Sequence, residues 1–199
     1  MDFRAALSDF IAREARPVDK FGHQPRLYAL TRLVGEGQQY DDDVVYAAAW
    51  LHDLGVFIGH RPEDPDALAA WDHVGYTLER APAILDRVGF PSGKTAAVLE
   101  VMRTHQPKDR PSTLEGVILR DADILEQLGA VGILRMVAKV GRDTRYTTFS
   151  DAVTALGRAA EHLPAELRLE RSRALAEPKI RILQEFLAAA GRESIPALY

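Results

Sequence analysis

The sequence predicts an all-α protein. Apolar residues recur at steps of three and four through most of the chain, no segment alternates apolar and polar residues, and helix-starting and helix-stopping residues bracket the periodic stretches. No internal repeat, low-complexity tract or composition shift marks a boundary. The chain therefore reads as one all-α domain over residues 1–199.

In order, Phe3, Leu7, Phe10 and Ile11 form the stripe of a first helix within "DFRAALSDFIARE". A second helix starts near His23 and stops near Gly35 and Gly37. Asp41, Asp42 and Asp43 suit the start of a third, since carboxylates cap free amides and oppose the helix dipole. That helix is expected to reach Leu54, with Gly55 as terminator. "GHRPEDPDALAA" reads as a loop. Helices follow over 72–88 and 93–105, the latter closed by Pro107 and Pro111. Ser112 and Glu115 have capping-box spacing before the next helix. A helix over 130–140, a polar loop "GRDTRYTTFS" and two C-terminal helical stretches over 150–190 complete the chain, with Pro178 starting or kinking the last.

Composition narrows the function. The 199 residues are 47% hydrophobic and 27% charged, with a formal net charge of -4, as in an ordinary globular protein. No basic surplus points to a nucleic-acid partner. The absence of cysteine excludes disulfides, zinc–cysteine sites and thiol nucleophiles, and agrees with a cytoplasmic location. Charges interrupt the N-terminal apolar residues, unlike a signal peptide, and no run approaches the roughly 18 apolar residues of a membrane helix. Any metal must be held by His, Asp and Glu.

Four histidines project towards the core. His23 shares a face with Leu27, Leu30 and Val34. His52 continues the face of Val45, Ala48 and Ala49, with Asp53 about 100° further round the helix. His105 ends the stripe of Val98, Val101 and Met102, and His73 lies early in its helix, ahead of Tyr76 and Thr77. A lone core histidine needs only a hydrogen-bond partner. Several imidazoles and carboxylates buried together are costly without a cation, and they suit Zn, Fe, Mn, Ni or Co. For one more ligand, periodicity favours Asp121, which shares a face with Leu114, Val117, Ile118, Leu125 and Leu128, over Asp123.

The order of these residues, His23, then His52-Asp53, then Asp123 in "DADIL", resembles the HD-domain superfamily of metal-dependent phosphohydrolases. The stretch "DADILEQLGAVGILR" is similar to a segment of small bacterial HD hydrolases, and the resemblance covers residues 20–140. It implies a single HD-domain helical bundle with additional C-terminal helices. It selects Asp123 as the ligand, against periodicity, and leaves Asp121 either as a partner that hydrogen-bonds and orients a ligand histidine or as an alternative ligand. His73 and His105 match positions at which some HD proteins carry two further histidines, which implies one or two divalent ions.

One departure matters. Many HD nucleotidases carry a catalytic acid soon after the His-Asp pair, whereas "HDLGVFIGH" has none before Glu63 and Asp64. Either those acids substitute, or a metal-activated water works with Asp53 alone as the catalytic residue. His60 and Arg61 are candidate contacts for a substrate phosphate. His162 reads as a surface residue, and Lys94, in "PSGKTAAV", lacks the full spacing of a phosphate loop. The resemblance therefore implies hydrolysis of a phosphate ester or anhydride of a small molecule, a nucleotide foremost. A diiron oxygenase, a non-catalytic nucleotide-binding module and a metal serving only as a structural staple are the alternatives. The apolar C-terminal helices would permit a homodimer.

Overall fold

The computed structural model describes residues 2–143, 145–194 and 198. Among them the protein is all-α, with ten α-helices, short 3-10 turns and no strand; two isolated bridges, Ile58–Arg61 and Asp143–Tyr146, are the sole β pairings. The chain divides into two compact units, residues 1–120 and 121–199.

The first unit holds α1 (Phe3–Glu14), α2 (His23–Val34), α3 (Asp42–Leu51), α4 (Pro65–Ala69), α5 (His73–Arg87), α6 (Thr95–Arg103) and the start of α7 (Leu114–Glu126). α3 is its centre: every residue from Val44 to Leu51 is buried, and α1, α2, α5 and α6 all pack on it. A helix so buried needs its free amides satisfied at its start. The Asp41 side chain accepts from the Asp43 and Val44 amides, and the Asp41 amide donates to Glu115 Oε1 at 2.9 Å. Arg4 binds Asp42 and Asp43 at 2.8 and 2.7 Å, and Lys94 Nζ lies 2.9 Å from Asp41 Oδ1 and 3.1 Å from Asp43 Oδ2. Lys94 thus serves the fold, in keeping with its incomplete phosphate-loop spacing.

Several expected boundaries move. α3 ends at Leu51, with His52 as its C-cap, and a 3-10 turn covers Leu54–Val56. Gly55 is not a left-handed terminator; it is a point of close packing. The segment expected to be a loop contains the short helix α4, whose Pro65 is pre-set for a first helical turn behind the Asp64 cap. The Ser112–Glu115 capping box does not form. Thr113 Oγ1 accepts the Gly116 amide at 3.1 Å, while Glu115 reaches across to Asp41.

The second unit comprises the end of α7, then α8 (Gly129–Val137), α9 (Phe149–Glu166) and α10 (Glu170–Glu193), the last three packed pairwise. α9 opens with a Thr148–Asp151 capping box whose Thr148 lies in the stretch expected to be a polar loop. α10 starts at Glu170 and runs continuously through Pro178.

Candidate metal centre

Five of the six expected ligands come from helix ends in the first unit. His23 is the first residue of α2, His52 caps the C-terminus of α3 and Asp53 follows it, His73 opens α5, and His105 stands just past α6. Their imidazoles form a row, with centroid separations of 5.2 Å for His23–His52, 5.0 Å for His52–His105 and 6.4 Å for His73–His105. His23, His52 and His105 are buried, as their apolar stripes predict.

Ligand atoms within 4.8 Å of one another define two triads, His23–His52–Asp53 and Asp53–His73–His105. In the first, the Nε2 atoms of His23 and His52 lie 3.2 Å apart, and each lies 3.6 Å from Asp53 Oδ2. Two ligand atoms about 2.1 Å from one ion stand about 3.0 Å apart at a right angle and about 3.4 Å apart in a tetrahedron. The first triad therefore fits a divalent cation with little adjustment. Asp53 belongs to both triads.

The tautomers fit as well. His52 Nδ1 lies 3.0 Å from the Ala49 carbonyl oxygen, and His105 Nδ1 lies 2.6 Å from that of Met102. A carbonyl only accepts, so Nδ1 carries the proton in both rings and Nε2 presents a lone pair. Burial alone would push the Asp53 carboxyl up. The neighbouring His52, His23, His105 and His73 more than offset this and hold it well below the ordinary carboxylate range. Asp53, with 22% of its side chain exposed, is held ionised, and it and His73 are the half-buried members of a set whose other three residues are buried.

The remaining expected residues are placed as follows. Asp123 lies in the α7 part of the second unit, half-buried, and Gln127 Nε2 approaches its Oδ2 at 3.3 Å. Asp121 is fully buried, as periodicity predicts, and accepts the backbone amides of Arg168 at 3.0 Å and Leu169 at 2.9 Å. It therefore anchors the chain entering α10. His60 is committed to the fold, with Nδ1 2.9 Å from Tyr76 Oη and Nε2 2.9 Å from Glu14 Oε2. Arg61 follows, half-buried, and Asp64 caps α4. His162 is exposed. Spacing gave no sign of Trp71, whose Nε1 donates to the Gly55 carbonyl at 2.8 Å, or of the tie from Gly55 to Thr77. Only the step of four from His73 to Thr77, which allows a hydroxyl to reach back to a carbonyl, could have marked the latter.

No helix among the described residues is long and apolar enough to cross a membrane. No curated protein matches the chain at a significant level. Solved structures share its fold. The Lin1889 protein of Listeria innocua is 17% identical at a TM-score of 0.72, over 100% of this chain and 98% of that one. Bacillus subtilis YpgQ, in complex with ADP, is 20% identical at a TM-score of 0.73, over 96% and 94%. A predicted HD superfamily hydrolase from an uncultured Thermotogales bacterium is 23% identical at a TM-score of 0.63, over 95% and 91%. The family model for the HD domain matches residues 21–128, a span that contains the His-Asp pair, all four histidines of the row and the "DADIL" aspartates. The chain belongs to the HD-domain family.

Proposed function

We propose that the protein is a metal-dependent phosphohydrolase that cleaves a phosphate ester or anhydride of a small molecule, with a nucleotide as the substrate class. The observation that carries this reading is the pair of triads joined by one ionised, accessible carboxylate. The two triads would hold a divalent cation, which would supply acidification of water and polarisation of a phosphoryl oxygen. The residues of the chain do the rest. His52 and His105 hold their Nε2 lone pairs in place through carbonyl bonds. Asp53 orients the water while remaining a ligand; of the two loop acids that could share that role, Asp64 caps α4 and Glu63 is exposed. Arg61 is the proposed phosphate contact, on a loop that His60 ties to Glu14 and Tyr76. Asp123 is the proposed α7 ligand, on the strength of the "DADIL" resemblance, which lies within the span matched by the family. YpgQ in complex with ADP supports a nucleotide as the substrate class.

The test is phosphate release from nucleoside mono-, di- and triphosphates by protein reloaded with Mn2+, beside Asp53→Ala. Release that vanishes in the variant supports the proposal. Nucleotide binding without release overturns it in favour of a binding module. Two iron ions with an optical band that changes on reduction, and no phosphate release, overturn it in favour of oxygen chemistry.

A further inference from the structure

The two triads differ in how their members are brought together. His52 and Asp53 are adjacent in sequence, so the chain itself places them side by side. Asp53 and His73 are far apart, and something must hold α5 at the right distance from the turn after α3.

That tie is visible. Gly55, two residues after Asp53, lies against the first residue of α5. A Cβ on Gly55 would stand 2.5 Å from the His73 carbonyl oxygen and 2.9 Å from its Cα. Thr77 Oγ1 accepts the Gly55 amide at 3.1 Å and donates to that same His73 carbonyl at 2.8 Å. From the other side, Trp71 Nε1 donates to the Gly55 carbonyl at 2.8 Å. Thr77 is 1% exposed and so does not meet substrate. A helical threonine often bonds back to the carbonyl four residues earlier, and that bond alone would carry no meaning. The bond from Gly55, across 22 residues of sequence, is not local.

We infer that Thr77 is a positioning residue: its hydroxyl sets the spacing of His73 from Asp53, and through it the affinity of the Asp53–His73–His105 triad for a cation. The inference rests on the two-triad reading above and concerns only the second ion. The first triad shares Asp53 but takes its other ligands from α2 and from the residue beside Asp53, neither of which the tie holds.

The experiment titrates metal-free protein with Mn2+, follows free Mn2+ by electron paramagnetic resonance, and checks stoichiometry by elemental analysis. Wild type is expected to take two equivalents. Thr77→Val keeps the shape and loses the hydroxyl; it should bind the first ion normally and the second about 10-fold more weakly, the scale seen when support around a ligand is removed. Thr77→Ser should restore the second ion. Trp71→Phe should weaken the second ion in the same direction, and it decides the matter if Thr77→Val does not fold: an unchanged second affinity in Trp71→Phe then overturns the inference. Two ions with unchanged affinities in a folded Thr77→Val overturn the inference alone. A wild type that takes only one ion overturns the two-triad reading and the inference with it.

Discussion

At the scale of single residues, the proposed ligands and the residues that hold the fold make separate predictions. His52→Ala and Asp53→Ala each remove a ligand from the first triad, and Asp53→Ala removes one from both. Elemental analysis should show near-complete metal loss in Asp53→Ala; full retention in both variants would sink the metal centre. His73→Ala with His105→Ala should leave about half the metal of wild type, since one triad survives. Asp121 and Asp123 are the sharper pair. Asp121 receives two backbone amides of the chain entering α10, so Asp121→Ala should lower stability by about 1–3 kcal/mol and spare metal content. Asp123→Ala should do the reverse, and equal metal content in Asp123→Ala and wild type would remove it from the ligand set. The inward direction of His23, His52 and His105 was legible because each ends or opens an apolar stripe. Asp121 was legible as inward but not in its task, because its partners lie 47 and 48 residues away.

Among the elements, α3 governs the centre, because its C-terminus delivers the His-Asp pair and its N-terminus is held by charge from three other segments. Spacing shows a helix with three leading aspartates; it does not show that Arg4, Lys94 and Glu115 converge there. Glu115→Ala frees the Asp41 amide and should cost about 1–2 kcal/mol in a urea titration, with metal content unchanged. Gly55→Ala is the harsher change. Its new methyl meets backbone rather than a side chain, so α5 must shift, at about 1–3 kcal/mol and with loss of the second ion. A Gly55→Ala protein of wild-type stability and full metal content would show that α5 gives way freely. The boundaries missed around Leu51 and Gly55 have one cause. A glycine after an apolar stripe predicts a helix stop, whereas here it permits two backbones to meet, and only tertiary structure distinguishes these uses.

For the whole molecule, the His-Asp cluster gathers buried polar groups that a bound ion would stabilise. Chelation should therefore lower the melting temperature, and reloading should restore it. At free metal about 100-fold above Kd, the folded state gains about 2.7 kcal/mol, worth roughly 5–10 °C in a chain of this size. Identical melting curves with and without chelator, in protein shown to carry metal beforehand, would contradict this. The all-α class was legible from periodicity alone, and the family from the ordered His-Asp pattern. The division of the chain at residue 120 was not, because composition is uniform across a boundary that falls inside one helix.

The shared carboxylate of Asp53 carries a thermodynamic consequence. Two cations that draw on one ligand are not independent, and linkage makes their influence mutual: whatever factor the first imposes on the affinity of the second, the second imposes on the first. Occupancy is then a property of the pair. In the proposed two-ion centre, a competing metal entering one position would change the hold on its neighbour without touching it, so the same polypeptide would present a different centre in each ionic mixture.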